Sequence, residues 1–154
     1  MEVLEKNAIY RPLPYTCPHP QSTHIELSNT LAKKKVLVTG LRGTVGQAIR
    51  SEFEERYDLS GFSRYGAEDL TDERNHMGNI ADLDSVIEAF QGQHTIVHLA
   101  ADRSATAGWE SALRNNFVGT YNIFEGAKIA GVKRIVFGSS QHSIGGNYLD
   151  EPYR

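Results

Sequence analysis

The sequence predicts an α/β fold, a doubly wound parallel sheet of about five strands behind an irregular N-terminal arm. Three observations lead there. Short apolar, β-branched runs such as "KVLVT" alternate with longer amphipathic runs such as "DLDSVIEAF". Strands that alternate with helices pair in parallel, because a crossover helix must return the chain to the same edge. The strand runs are also apolar on successive residues, the pattern of strands buried on both faces. Finally, four of the five prolines (Pro12, Pro14, Pro18 and Pro20) lie ahead of Lys33, so regular structure is expected only after them.

The bulk properties fit one globular domain. A chain of 154 residues with 40% hydrophobic and 23% charged residues can bury a core. A formal net charge of −3 gives no electrostatic basis for binding nucleic acid or an anionic membrane. No run approaches the length of a membrane helix, and the first fifteen residues lack the apolar centre of a signal peptide. One cysteine, Cys17, excludes an internal disulfide and suits a reducing cytoplasm.

Residues 1–33 read as a proline-rich arm. Cys17, His19 and His24 fall within it, but three candidate ligands in such a segment read as ordinary surface side chains, and no metal is expected. The first strand is "KVLVTG" from Lys35. "TVGQAIRSEFEER" follows as a helix with Val45, Ala48, Ile49 and Phe53 as its apolar face. "YDLSGFSR" is the second strand. A third, short strand is expected near Met77–Ile80, at the end of a weakly patterned stretch. The next helix, "DLDSVIEAF", buries Val86, Ile87 and Phe90 and is capped by Asp82 or Ser85. "HTIVHLAA" is a strand. A long helix spans Trp109 to Ala130 with Trp109, Ala112, Leu113, Phe117, Thr120, Ile123, Phe124 and Ala127 on its apolar stripe. "KRIVFGSS" is the last strand.

The segment "VLVTGLRGTVGQAI" carries the chemistry, with glycines at 40, 43 and 46 between a strand and a helix. Gly40 permits the tight turn out of the strand, Gly43 lets backbone approach a pyrophosphate, and Gly46 lets the helix pack on the strand. The helix start then offers unpaired N–H groups and partial positive charge to phosphates. A second strand ends about 20 residues further on, which is the context of a dinucleotide-binding loop. The loop residues Gly40, Leu41, Arg42, Gly43, Thr44, Val45 and Gly46 are therefore candidate cofactor contacts.

Threonine followed by G-x-x-G-x-x-G resembles the extended short-chain dehydrogenase/reductases, the NAD-dependent epimerase/dehydratase family. "HLAAD" and "NNFVGTYNIFEGAKIAGVKRIVFGSS" are similar to later family segments in the same order. "SSQHSIGG" and "LRNNFVGT" look most like the uronate dehydrogenases and related sugar or sugar-phosphate 1-dehydrogenases. The resemblance implies a Rossmann-type sheet in the order 3-2-1-4-5 over residues 34–154. It implies Leu99, Ala100, Ala101 and Ser139 along the cofactor, with Asn79 and Ile80 against the adenine. Ser63 and Arg64 stand where the family usually places an acid for the NAD ribose, so the cofactor is written as NAD or NADP.

By the same resemblance Ser140 is the catalytic serine, with Asn116 ordering the site around it. The resemblance also makes Gln141 and His142 substrate contacts; Ser104 and Thr106, in the loop after "HLAAD", are candidate substrate contacts that loop polarity explains equally well. Serines after a strand also serve simply to cap loops, and an amide near an apolar stripe also serves the core. His98 and Trp109 are read as packing residues. No tyrosine in the sequence has a lysine four residues on, so the family's Tyr-x-x-x-Lys pair is missing. The expectation is a truncated, N-terminal part of a sugar, uronate or sugar-phosphate oxidoreductase, without the segment bearing that pair or the C-terminal substrate domain. A non-catalytic NAD(P)-binding or interaction module, and a fragment of a nucleotide-sugar epimerase or dehydratase, remain the alternatives. A sheet ending at its fifth strand would also leave an open edge for homodimer formation or other self-association.

Overall fold

The computed structural model describes residues 32–65, 70–71, 74–104 and 106–140. The arm with Cys17, His19 and His24, and the candidates Gln141 and His142, lie outside the described residues. Five strands form one parallel sheet: β1 (Lys35–Thr39), β2 (Asp58–Ser63), β3 (Asn75–Met77), β4 (Thr95–His98) and β5 (Arg134–Phe137). Their order is β3-β2-β1-β4-β5, as the family resemblance implies. β1 is central, with Val36 opposite Leu59 of β2 and Thr95 of β4.

The side-chain alternation of β1 divides the core in two. Leu37 packs with Phe62, Ile80, Val86, Phe90, Ile96, Ile123 and Ala127 on the face covered by helices α2 (Leu83–Phe90) and α4 (Gly119–Ile129). Val36 and Val38 pack with Leu41, Leu59 and Val97 on the opposite face, against Ile49 and Phe53 of α1 (Thr44–Phe53). Asp82 is the α2 cap, accepting from the Asp84 amide, while Ser85 donates its hydroxyl to Asp82. Among the described residues no helix is long and apolar enough to cross a membrane.

Three local expectations are corrected. The short strand occupies Asn75–Met77 and not Met77–Ile80, because Asn79 turns the chain away by accepting from the Ala81 amide at 3.0 Å. The face of α1 is rotated from the expected one. Val45 is 60% exposed and Ala48 is also exposed, while Gly46, Ile49 and Phe53 face the sheet. The long helix is real in extent but broken in phase, with α3 (Trp109–Ala112) running into a π-helical turn over Leu113–Val118 before α4. The i→i+5 turn adds a residue to the repeat and shifts every later side chain around the axis. Gly119, Asn122, Ile123, Gly126 and Ala127 are consequently the buried face and Phe124 is exposed, while Trp109 before the turn and Phe117 within it are exposed as well.

Candidate cofactor and active site

The strand order reverses between β1 and β4, so the segments leaving their C-terminal ends diverge to opposite faces and open a crevice. The glycine loop forms one wall. Gly40 has φ +76°, a conformation that L side chains rarely adopt, and a Cβ there would stand 3.0 Å from the Ala100 nitrogen. The Gly43 amide closes the turn onto the Gly40 carbonyl at 2.9 Å. A Cβ on Gly46 would stand 2.5 Å from the carbonyl oxygens of both Gly40 and Leu41, so only glycine lets α1 start this close to the strand.

Gly43 is the extended N-cap residue of α1 and provides no side-chain cap. The first i→i−4 bond is from the Gln47 amide to the Gly43 carbonyl at 2.9 Å. The amides of Thr44, Val45 and Gly46 therefore precede the helical ladder, in the first turn after the glycine loop. No acidic residue occupies that first turn. Leu41 contributes main chain alone, because its side chain lies in the α1-side core. The exposed Val45 side chain is explained by this position at the mouth of the loop.

The other wall is the exit from β4. The Thr39 hydroxyl, at the end of β1, accepts from the Leu99 amide at 3.2 Å and the Ala100 amide at 3.1 Å. It also lies 2.7 Å from Nδ1 of the buried His98, whose ring packs 5.7 Å from that of Phe137. Burial holds His98 down to about 4, so the ring is neutral near pH 7. Beyond Ala101, Asn116 secures the loop with both ends of its amide. It accepts from the Asp102 N–H at 2.7 Å and donates to the Asp102 carbonyl at 2.9 Å. The definite partner expected for a sheltered amide is thus main chain, reached from within the π-helical turn.

Asp102 is held below the usual carboxylate range, first by the hydroxyl that Ser111 donates to it, then by the Ser104 amide, with the positive charge of Arg64 adding to both. That charge comes from across the crevice, since Arg64 follows β2 and lies over the Tyr65 ring at 5.5 Å. Ser63 ends β2 beside it. Asn79 and Ile80 follow β3. The Ile80 side chain is buried and its carbonyl accepts from Asn122 at 2.9 Å, so Asn79 is the more available of the two.

Ser139 and Ser140 leave β5 exposed, next to the end of β4, where the Gly138 amide bonds the His98 carbonyl at 2.9 Å. Ser104 and Thr106 bond each other at 3.1 Å in a local turn. Sequence reasoning missed Thr39, Asp102 and Ser111 as organisers of the site. A threonine that ends an otherwise apolar strand just before the first glycine was the available signal for Thr39.

Fold and site together define a Rossmann-type domain whose glycine loop stands at the reversal of strand order. The chain belongs to the NAD dependent epimerase/dehydratase family, which it matches over residues 36–152. It is 37% identical over 119 residues to an NAD-dependent glucose-6-phosphate dehydrogenase of Haloferax volcanii, covering 71% of this chain and 44% of that protein. It is 35% identical to a uronate dehydrogenase of Agrobacterium fabrum, covering 73% of this chain and 43% of the other. Among solved structures, uronate dehydrogenase from Agrobacterium tumefaciens, as a mutant complexed with NAD, superposes with a TM-score of 0.64 at 31% identity. That superposition covers 72% of this chain and 42% of the solved one. The chain therefore spans less than half the length of the relatives it matches.

Proposed function

We propose that residues 34–154 are the NAD(P)-binding portion of an oxidoreductase that oxidises a sugar, uronate or sugar phosphate at C1. The observation that carries this reading is the glycine loop at the strand-order reversal, with Gly40 at positive φ and Gly46 where a Cβ would strike the Gly40 and Leu41 carbonyls. A dinucleotide's pyrophosphate fits the amides of Thr44, Val45 and Gly46 at a helix start with no acidic side chain to repel it. Leu99, Ala100, Ala101 and Ser139 would line the nicotinamide half, and Asn79 the adenine. Ser63 and Arg64 suit a ribose 2′-phosphate as well as a free hydroxyl, so NADP is accepted beside NAD.

Bound nicotinamide would supply the hydride acceptor. The Ser140 hydroxyl would donate a hydrogen bond to the substrate oxygen and hold it in place while its proton leaves. Ser104, Gln141 and His142 would contact the sugar. Asn116 acts one step back, fixing the main chain of Asp102 from which the Ser104 loop departs. The proton itself needs a base, and none of the tyrosines in the sequence stands four residues ahead of a lysine. We infer that the base lies outside these 154 residues.

Calorimetric titration of the chain with NADH and NADPH, beside an assay of aldoses, uronates and their phosphates, tests both parts. Binding of at least one nucleotide without turnover is the expected result. Turnover by the chain alone would overturn the missing base, and failure to bind either nucleotide would overturn the cofactor site. A non-catalytic binding module is the second reading, favoured by the same absence of the tyrosine–lysine pair. Recovery of turnover when a relative's C-terminal half is added would exclude it.

A further inference from the structure

Thr39 and His98 end the two strands from which the walls of the crevice depart, and their mutual bond has no role in the cofactor reading above. A hydroxyl has one proton to give and two lone pairs to share. The Thr39 oxygen already accepts from the Leu99 and Ala100 amides, which can only donate. Its proton must then go to the remaining neighbour, His98 Nδ1 at 2.7 Å. That nitrogen is therefore the unprotonated one, and the ring carries its hydrogen on Nε2, facing the Thr120 hydroxyl of α4 at 3.4 Å. The chain of bonds runs from the last residue before the glycine loop, through the β4 exit, into the first turn of α4.

We propose that Thr39 and His98 are a positioning pair for the dinucleotide crevice, in which a neutral His98 with its proton on Nε2 aims the Thr39 hydroxyl and so fixes the β4 exit against the glycine loop. The proposal rests on the cofactor reading above for its binding consequence, and on geometry alone for the hydrogen-bond direction. The spacing it sets is narrow, since the Leu99–Ala100 backbone lies 3.0–3.2 Å from where a Gly40 Cβ would be. Without the hydroxyl, the Ala100 amide loses its acceptor, the Leu99 amide keeps only the Thr39 carbonyl at 3.2 Å, and the imidazole loses its donor.

Two measurements test it on the full chain. Nitrogen-15 NMR of labelled histidine, with His98 assigned by its loss in His98→Asn, reads the tautomer directly; the expected signature is an unprotonated Nδ1 and a protonated Nε2. Titration with NADH and NADPH then reads the walls. Thr39→Val and His98→Phe, which keep the shape and delete the bond, are each expected to weaken binding about tenfold, the scale of one lost hydrogen bond. Thr39→Ser and His98→Asn, which restore a hydroxyl and an acceptor, are expected to stay within about threefold of the wild type. The double variant Thr39→Val/His98→Phe should lose no more than either single change, because the two groups act as one.

A proton on Nδ1 would overturn the proposal, as would wild-type affinity in folded Thr39→Val and His98→Phe. If those two variants do not fold, wild-type-like binding by Thr39→Ser and His98→Asn supports the pair and a tenfold loss in both opposes it. Should the wild type bind neither nucleotide, the cofactor reading falls alone. Amide exchange at Ala100 then decides the pair, faster exchange in Thr39→Ala supporting it and unchanged exchange overturning it.

Discussion

At the scale of a residue, His98 makes the fold sensitive to acid. Burial lowers it from 6.5 to about 4, and no charged side chain contributes to that shift. The folded ring stays neutral while the unfolded one gains a proton below its ordinary value. The stability contributed is therefore complete above about pH 6.5 and is lost progressively as pH falls toward 4. Fully expressed it is on the order of 3 kcal/mol. Urea denaturation of the wild type and His98→Phe across this interval checks it, and the wild type should lose more stability on acidification than the variant.

At the scale of an element, the π-helical turn decides what the long helix does. It presents Asn116 to the Asp102 backbone and, a turn later, brings Asn122 and Ile123 beneath Ile80 and the α2-side core. Asn116→Ala removes two hydrogen bonds from a partly sheltered peptide and is expected to cost about 1–3 kcal/mol. Hydrogen exchange should show the loss concentrated at Asp102 and its neighbours, with β1 unchanged. The turn was not legible in the sequence, since a 3.6-residue period laid over "LRNNFV" gives no sign that one residue is to be absorbed. The strands were legible, because continuous apolar runs admit few other readings. The face of α1 was misread for a related reason: two small apolar residues, Val45 and Ala48, suggested a stripe that the loop geometry turns outward.

At the scale of the molecule, the sheet is covered unevenly. Among the described residues β5 pairs only with β4, and Val136 and Phe137 on it are 48% and 46% exposed. Phe117, Tyr121 and Phe124 are also exposed on the long helix. Surfaces of this kind associate, and a charge placed on an edge strand opposes it. Sedimentation velocity is expected to show concentration-dependent self-association that Val136→Lys reduces; a monomer at every concentration would count against it. The glycine loop and the strands could be read from local sequence, while the sheet order came from the family resemblance. Which residues hold the two walls together could not, since Thr39 and His98 meet across 59 positions.

That separation has a consequence for synthesis. β1 is the centre of the sheet and the first of its strands to be made, yet its partner β4 is translated some 59 residues later. A ribosome emits Leu37 and Val38 long before Ile96 and Val97 exist to cover them. Until β4 leaves the exit tunnel, β1 has only β2 beside it and its other edge stands open, the form in which chaperones would meet it.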